Sequence, residues 1–233
     1  NEIQTQKLPL KGMRALVTGG AQGIGAGICL ELASAGAAVA VVDCQVNKAQ
    51  YLANKIVERG GRAIAVSADI ASEDGCRQAV ATTIGDLGGL DILVNCAAPS
   101  RNRGMPRKLA DADWDIHQKI VLKAAVLFAD AASDYLAASG LGTIVNISSV
   151  TSYSIGIDHC SWPYHVSKAG LDQLTRWLAI RFGGQGVRVN AIAPGLVDRD
   201  AGPKLSDNQE THAVIKEIVP LGRAGNNQDI ARA

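Results

Sequence analysis

The chain has 233 residues, of which 47% are hydrophobic and 19% charged, and its formal net charge is +1. This length predicts one large domain, and the near-neutral balance excludes a global bias toward nucleic acid or membrane surfaces. No apolar run approaches the roughly 18 residues of a membrane span, and residues 1–12 contain no apolar signal-peptide core.

The five cysteines are scattered, odd in number and without the CxxC spacing of metal sites. We therefore expect reduced thiols in a cytoplasmic protein, and neither a disulfide framework nor a metal site. The cysteines are Cys29, Cys44, Cys76, Cys96 and Cys160.

Short β-branched runs alternate with longer segments of helical period. The predicted strands are Arg14–Thr18, Ala38–Val42, Ala63–Ser67, Asp91–Val94, Thr143–Ile147 and Val187–Ile192. The predicted helices are Gly25–Ala35, Lys48–Arg59, Glu73–Leu87, Asp111–Ala138 and Pro163–Phe182. Such alternation predicts an α/β fold, in which a parallel sheet is covered on both faces by helices. We expect a single domain over residues 1–233.

The first predicted strand runs into a glycine-rich turn, VTGGAQGIG, and a helix follows at once. We call residues 17–25 the glycine loop. Glycines let the backbone approach a diphosphate, and the helix N-terminus supplies free N–H groups. Its spacing, Gly19-x3-Gly23-x-Gly25, differs from the G-x-G-x-x-G of other dinucleotide folds, and the alternative is an ordinary turn.

The second predicted strand is followed directly by Asp43. A carboxylate there would accept hydrogen bonds from an adenosine ribose diol and would repel a 2′-phosphate. No arginine follows Asp43 directly, and Gln22 occupies the glycine loop where a basic residue would favour NADP. The sequence therefore favours NAD over NADP.

The fourth predicted strand opens into a basic loop that contains Arg101, Arg103, Arg107 and Lys108. Ligands of doubly wound sheets bind beyond the carboxyl ends of the strands. The basic loop is therefore a candidate contact for an anionic substrate, such as a carboxylate or a phosphopantetheine-bearing carrier. The alternative is a solvated loop whose charges face water.

Tyr164 and Lys168 lie four residues apart near the start of a predicted helix, which places them on one face. A tyrosine ordinarily titrates near pH 10, and a neighbouring ammonium favours its ionised form, as proton transfer near neutrality requires. Tyr51 and Lys55 repeat this spacing. The two tyrosines differ in what precedes them: a predicted strand that leads into the Ser149 hydroxyl comes before Tyr164, and no such residue comes before Tyr51. We therefore predict that Tyr51 is a surface residue.

The chain resembles the short-chain dehydrogenase/reductase family almost from end to end. The resemblance rests on TGGAQGIG at 18–25, Asp43, the AD that ends at Asp69, Asn95, NISS with Ser149, YHVSK at 164–168, RVNAIAPG at 188–195 and PLGRAGNNQDIA at 220–231. It implies a Rossmann-like doubly wound sheet, a nicotinamide cofactor, and hydride transfer between an alcohol and a carbonyl. It also implies a homodimer or homotetramer built on the two longest predicted helices.

The resemblance assigns roles to individual residues. It implies that Ser149 orients the substrate oxygen, that Tyr164 is the acid/base, and that Lys168 tunes the tyrosine and holds the nicotinamide ribose. The implied cofactor contacts are Gly19, Gln22, Gly23, Ile24, Gly25, Asp43, Asp69, Ile70, Asn95, Ala97, Tyr164, Lys168, Pro194, Gly195 and Val197.

Four features depart from the family pattern. Ala98 stands where a glycine is usual, Val121 where an asparagine usually anchors a proton relay, and Arg199 where a threonine is usual. Gln118 or His117, one turn earlier, is a candidate replacement for the asparagine; the alternative is a shorter relay and a slower enzyme. Members of the family also continue into one more strand, so we expect a further strand beyond Ala233.

The segment before Tyr164 is two residues longer than is common in the family, and we expect it to form a wall of the substrate pocket. Its candidate substrate contacts are His159, Cys160 and Trp162. His159, Cys160 and His165 do not have the period of metal ligands, so we predict no metal site. We expect no nucleic-acid or membrane partner. We expect a small-molecule substrate, and the basic loop makes an anionic substrate a candidate.

Three functions remain open. The leading one is an NAD-dependent alcohol dehydrogenase/ketoreductase acting on a secondary alcohol or ketone. The second is a reductase of 3-oxoacyl thioesters, which the basic loop favours and Asp43 opposes. The third, of another class, is a cofactor-binding regulator or scaffold with little turnover, which Val121 favours and the Ser149, Tyr164 and Lys168 set opposes.

Overall fold

A computed structural model describes residues 8–99, 111–155, 161–198 and 204–233. Its strands are β1 (Arg14–Thr18), β2 (Ala38–Asp43), β3 (Arg62–Ser67), β4 (Ile92–Asn95), β5 (Thr143–Ile147), β6 (Arg188–Ile192), β7 (Val197–Asp198) and β8 (Gly225–Asn226). Its α-helices are α1 (Gly23–Ser34), α2 (Val46–Glu58), α3 (Glu73–Leu87), α4 (Asp111–His117), α5 (Ala124–Ala138), α6 (Trp162–Gly183), α7 (Gln209–Ile218) and α8 (Asn227–Ala231). A π-helical segment, Gln118–Lys123, joins α4 to α5, and 3-10 turns span Val150–Ser152 and Leu205–Asp207.

Within these residues, six parallel strands form one sheet in the order β3-β2-β1-β4-β5-β6, and β7 pairs with β8 in a small parallel sheet. The predicted doubly wound parallel sheet is confirmed. The strand order reverses between β1 and β4, because the chain crosses from β3 at one side of the sheet to β4 beside β1. Open sheets of this kind bind ligands beyond the carboxyl ends of the strands at that reversal.

The sheet separates two apolar cores. Alternate residues of a strand point to opposite faces, so Leu16 packs with α3, α5 and α6, while Ala15 and Val17 pack with α1, α2 and α8. Burial of both faces explains why the strands read as continuous apolar runs. Both cores together fix the strand ends that form the site.

An ion pair links the amino ends of β1 and β4. The Arg14 guanidinium donates to both carboxylate oxygens of Asp91 at 2.7 and 2.8 Å, and the Arg14 backbone N–H donates to Asp91 Oδ2 at 2.7 Å. Burial alone would raise the pKa of Asp91, but the hydrogen bonds from Arg14 outweigh it and lower that pKa below its usual value.

Arg14→Ala is expected to lower the free energy of unfolding at pH 7 by about 2 to 3 kcal/mol, because it removes the partner of a buried carboxylate. This stabilisation is complete above the ordinary carboxyl pKa of about 4 and is lost as pH falls through the lowered folded-state pKa. Urea denaturation at several pH values measures it. Arg77→Ala, which removes the half-exposed Arg77–Glu73 pair, is the control, with an expected loss below about 0.5 kcal/mol. Equal losses in the two variants would contradict the prediction.

No helix of the described ranges combines the length and the apolar character that crossing a membrane requires. Within those ranges, Cys29, Cys44 and Cys76 are free thiols. Burial raises the pKa of Cys29 far above its ordinary value and that of Cys76 to about 11. Both side chains are therefore protonated at neutral pH and are poor nucleophiles.

Candidate active site

Thr18, the last residue of β1, lies at the crevice of the strand-order reversal. Its hydroxyl accepts hydrogen bonds from the backbone N–H groups of Cys96 at 3.0 Å and Ala97 at 3.2 Å. Thr18 is paired in register with Asn95, the last residue of β4. These bonds fix the chain that leaves β4 against the chain that leaves β1.

The glycine loop lies beside this crevice and is too crowded for side chains at two positions. A Cβ at Gly25 would lie 2.1 Å from the Gly19 carbonyl oxygen, and one at Gly19 would lie 2.8 Å from Ala97 Cα. Gly19 also has a φ of +64°, which other residues rarely adopt. The glycines thus let the loop backbone pack closely at the mouth of the crevice.

The loop ends at the free N-terminus of α1. Gln22 is the residue before the helix, and its side chain makes no capping hydrogen bond; the first turn, which contains Gly23 and Ile24, has no acidic residue. The unpaired N–H groups and the positive end of the helix dipole are therefore available to an anion such as a diphosphate.

Asp43 closes the far side of the loop and is buried. Its carboxylate accepts hydrogen bonds from the backbone N–H groups of Ala21 at 3.1 Å and Gln45 at 2.9 Å. These bonds hold the negative charge against the glycine loop, where the sequence predicts a ribose contact. Asp69 and Ile70 follow β3 at the same edge of the sheet, and Asp69 is exposed.

Lys48 is a neighbour of this region that sequence reasoning missed. Its ammonium donates a hydrogen bond to Gln22 Oε1 at 2.8 Å, and both side chains are exposed. The prediction of cofactor preference rested on the residue directly after Asp43 and on Gln22. Lys48, in the first turn of α2, also reaches the glycine loop, because it is bonded to Gln22. Amphipathic spacing along α2 could have indicated it.

Tyr164 and Lys168 lie on one face of α6, as their spacing predicts, and both are buried. The Lys168 ammonium lies 5.5 Å from the centre of the Tyr164 ring and donates a hydrogen bond to the Ile147 carbonyl at the end of β5. The structure therefore places a positive charge beside a buried phenol at the carboxyl end of the sheet. Tyr51 is 69% exposed on α2, which confirms its predicted surface position.

Ser149 follows β5 and is also buried. Its hydroxyl oxygen accepts a hydrogen bond from the Thr151 N–H at 3.3 Å and begins the 3-10 turn. Two bonds tie this segment to α6: the Ser148 hydroxyl donates to the Lys168 carbonyl at 3.5 Å, and His165 Nδ1 lies 3.1 Å from the Thr151 carbonyl. The segment that carries Ser149 is thus fixed against the helix that carries Tyr164.

Two buried side-chain hydrogen bonds link the strands and the helix that carry these residues. The Asn95 amide donates to Asn146 Oδ1 at 2.9 Å, and the Asn146 amide donates to the Thr175 hydroxyl at 2.9 Å. They connect β4, β5 and α6. Asn146 and Thr175 were not predicted. The available signal for Asn146 was a polar residue inside the otherwise apolar run IVNI at 144–147.

Val121 lies within the π-helical segment and is buried with Ala125 and Leu171. It contributes no polar atom to the site. Its two candidate replacements differ: the Gln118 amide donates to the Ser167 hydroxyl at 3.0 Å, whereas the buried His117 ring stands nearly perpendicular to the Tyr164 ring, 6.2 Å away between centroids.

Some of the remaining predicted site residues lie near Ser149 and Tyr164, and others lie outside the described residues. Trp162 stacks on Trp114 with ring centroids 5.2 Å apart, and its buried indole N–H has no hydrogen-bond partner among the residues that the structure describes. The Pro194 carbonyl accepts a hydrogen bond from the Val150 N–H at 3.0 Å, which places Pro194 and the following Gly195 beside the Ser149 turn, and Val197 begins β7. The predictions on Arg101, Arg103, Arg107, Lys108, His159, Cys160 and Arg199 lie outside the described residues.

Among the described residues, no group of three or more His, Cys, Asp or Glu side chains is arranged to hold a metal ion. The groups that the fold brings together are instead a hydroxyl, a phenol and an ammonium. They suit proton transfer at an oxygen atom beside a dinucleotide cradle.

Comparison with known proteins gives consistent matches over nearly the whole chain. The protein-family model described as enoyl-(acyl carrier protein) reductase matches residues 19–233. The chain is 35% identical over 217 residues to (2S)-[(R)-hydroxy(phenyl)methyl]succinyl-CoA dehydrogenase subunit BbsD of Thauera aromatica, covering 93% of this chain and 85% of that protein. It is 33% identical over 226 residues to a 3-oxoacyl-[acyl-carrier-protein] reductase of Aquifex aeolicus, covering 97% and 89%.

Solved structures agree. A short-chain dehydrogenase/reductase from Serratia marcescens superposes with a TM-score of 0.86 at 32% identity, covering 96% of this chain and 89% of that one. A dehydrogenase/reductase from Sinorhizobium meliloti superposes with a TM-score of 0.86 at 35% identity, covering 97% and 87%.

Proposed function

The chain belongs to the short-chain dehydrogenase/reductase family, and we propose that it is an NAD-dependent oxidoreductase that interconverts a secondary alcohol and a ketone. The observation that carries this proposal is the buried Tyr164 with the Lys168 ammonium 5.5 Å from its ring centre, at the crevice of the sheet.

In this proposal the bound nicotinamide supplies the hydride acceptor, and the side chains of this protein handle the proton. Ser149 orients the substrate oxygen by a hydrogen bond. Tyr164 takes the hydroxyl proton during oxidation and returns it during reduction. The Lys168 ammonium stabilises the phenolate through its charge and stays fixed because it donates to the Ile147 carbonyl.

Several features of the structure support the dinucleotide. A cradle that leaves no room for a Cβ at Gly19 or Gly25 lets a diphosphate approach backbone N–H groups. The free N-terminus of α1 favours its negative charge. The buried Asp43 carboxylate, bonded to the loop itself, favours a ribose diol and disfavours a 2′-phosphate. Within the described ranges, the exposed Lys48 beside Gln22 is the feature that favours NADP.

Asp43→Asn is expected to lower kcat/KM for NAD about tenfold to a hundredfold, because hydrogen bonds to a charged group contribute about 1.5 to 3 kcal/mol. The same change removes the repulsion of a 2′-phosphate, so kcat/KM for NADP is expected to rise. Initial rates with each cofactor measure the ratio. Glu58→Gln, an exposed acid at the other end of α2, should leave the ratio unchanged. A ratio that Asp43→Asn does not move would contradict the role of Asp43.

A second candidate is the reduction of 3-oxoacyl thioesters. Both the family description and the Aquifex relative concern acyl-carrier-protein reductases, and the Thauera relative acts on a coenzyme A thioester. The basic loop with Arg101 and Arg103 supports it, since phosphopantetheine carriers are anionic. In either reaction we propose Trp162 and His159 as further substrate contacts.

Initial rates with NAD and NADP, across secondary alcohols, hydroxy acids and hydroxyacyl thioesters, test these candidates. We expect turnover with NAD. A preference for acidic substrates would assign the basic loop to substrate binding, and a preference for thioesters would favour the second candidate. Tight NADH binding without turnover on any compound would favour the regulator or scaffold, for which Val121 is the supporting residue.

We also propose a homodimer or homotetramer in the cytoplasm, built on α5 and α6. These helices expose large apolar side chains that a partner would cover: Val126, Tyr135, Val166, Trp177 and Ile180. The free thiols of Cys29, Cys44 and Cys76 support a reducing compartment.

Ile180→Glu is expected to dissociate the oligomer, because Ile180 is 85% exposed and a carboxylate buried at an interface is costly. Light scattering after size-exclusion chromatography measures the mass. Val57→Glu, on the exposed face of α2, should leave it unchanged. A wild-type monomer, or an Ile180→Glu variant of unchanged mass, would refute this interface.

A further inference from the structure

The direction in which Ser149 donates its hydrogen bond is set by the turn that follows it. If the proposed function holds, Ser149 and Tyr164 approach the same substrate oxygen, so their relative position decides the rate. The Ser149 oxygen accepts a hydrogen bond from the Thr151 N–H at 3.3 Å. This bond occupies a lone pair of the hydroxyl and leaves its hydrogen for the substrate. A displacement of the turn would therefore misdirect Ser149.

The Ser149 turn (Val150–Ser152) is held from two sides. On one side, the Val150 N–H donates to the Pro194 carbonyl at 3.0 Å. On the other side, Nδ1 of the half-buried His165 lies 3.1 Å from the Thr151 carbonyl oxygen. A carbonyl is only an acceptor, so Nδ1 carries the hydrogen and donates it. His165 thus ties the turn to α6.

The other polar side chains of this region give the turn less support. The Ser148 hydroxyl donates to the Lys168 carbonyl at 3.5 Å, which is long for a hydrogen bond. The hydroxyl oxygens of Thr151 and Ser152 are buried and have no hydrogen-bond partner among the described residues. The bond from His165 is therefore the shorter of these two side-chain ties to α6.

We propose that His165 is a positioning residue, which holds the Ser149 turn against α6 and so fixes the Ser149 hydroxyl relative to the Tyr164 phenol. His165 directly follows Tyr164 in α6. The acid/base and the group that holds the turn are therefore one peptide bond apart. In this role the imidazole exchanges no proton, and it needs only a hydrogen-bond donor at the place of Nδ1.

Substitution of His165 tests this role. His165→Leu is expected to lower kcat for alcohol oxidation with NAD about threefold to thirtyfold, because it removes a neutral hydrogen bond and lets a substrate-orienting group move. NADH affinity, measured by fluorescence titration, should be unchanged. His165→Asn should recover most of the lost kcat, because its amide nitrogen stands where Nδ1 does. Gln50→Leu, which removes the exposed Gln50–Asn54 bond on α2, is the control and should retain wild-type kcat.

A double-mutant cycle with Ser149→Ala separates positioning from a merely structural role. If His165 acts through Ser149, adding His165→Leu to Ser149→Ala should cost less than about a further twofold in rate, because residues that act through one contact are not additive. A structural role would multiply the two losses. Single-turnover hydride transfer at high enzyme concentration keeps the slow variants measurable. His165→Ala replaces the leucine variant if leucine prevents folding, since alanine suits a helix.

Three results would overturn the positioning role: wild-type kcat without the His165 imidazole, losses that multiply with that of Ser149→Ala, or an asparagine variant as slow as the leucine variant. Each of them requires an active wild type, so each refutes this role and leaves the proposed function intact. Absence of Tyr164-dependent turnover in wild type would instead refute the proposed function, and the role of His165 with it.

Discussion

Tyr164→Phe is expected to lower kcat for alcohol oxidation by about a hundredfold to ten-thousandfold, the usual contribution of a positioned acid/base group. Phenylalanine keeps the ring beside Lys168 but has no hydroxyl to take the substrate proton. NADH binding, measured by fluorescence titration, should be unchanged, because the glycine loop and Asp43 are untouched. The loss should therefore appear in kcat and not in cofactor affinity.

Tyr51→Phe is the matched control. Tyr51 and Lys55 have the same spacing as Tyr164 and Lys168, but Tyr51 is 69% exposed on α2. Its variant should retain wild-type kcat. Comparable activity of Tyr164→Phe and Tyr51→Phe would show that Tyr164 is not the acid/base.

Gly25→Ala is expected to weaken NADH binding by about fivefold to a hundredfold, because overpacking of a close contact costs about 1 to 3 kcal/mol. The added Cβ would lie 2.1 Å from the Gly19 carbonyl oxygen and would force the glycine loop to move. The movement displaces the backbone N–H groups at the start of α1 from the diphosphate. Isothermal titration with NADH measures the loss.

Gly85→Ala makes the same substitution where a Cβ meets nothing within 4 Å, on the exposed face of α3. It should leave NADH affinity unchanged and raise the free energy of unfolding by about 0.5 to 1 kcal/mol, since alanine favours a helix interior. Unchanged NADH affinity in Gly25→Ala would show that the glycine loop does not hold the cofactor.

The parts of the fold that depend on local chemistry could be predicted from the sequence. The bounds of α3 follow from Ser72, whose hydroxyl accepts the Gly75 N–H at 3.1 Å, and from Gly88 with a φ of +85°. The bounds of β1 and β5 also agree with prediction, because both strands are apolar runs buried on two faces.

Features that depend on packing between distant segments could not be predicted in this way. The segment from Asp111 to Ala138 reads as one helix, yet Gln118–Lys123 is π-helical, and nothing in its local pattern distinguishes it. The bond between Lys48 and Gln22 joins residues 26 apart in sequence. Strands β7 and β8 are two residues each, too short to show a period.

The same distinction between local chemistry and long-range packing applies to the candidate site. The glycine loop, Asp43 and the spacing of Tyr164 and Lys168 are short motifs whose geometry is local, and the structure brings them to one end of the sheet. The choice between His117 and Gln118 was open in the sequence. The structure shows how the two differ, which the sequence could not: Gln118 is hydrogen-bonded to Ser167 of α6, whereas the His117 ring meets the Tyr164 ring edge-on.

The transfer of deuterium from a carbinol-deuterated secondary alcohol to NAD tests the central proposal most directly. The account predicts deuterium on the nicotinamide ring of the NADH formed, with one proton released per NADH, and almost none of this product with Tyr164→Phe. If wild type binds NADH but forms no deuterated NADH from any alcohol, hydroxy acid or hydroxyacyl thioester of the panel, the protein is not the dehydrogenase proposed.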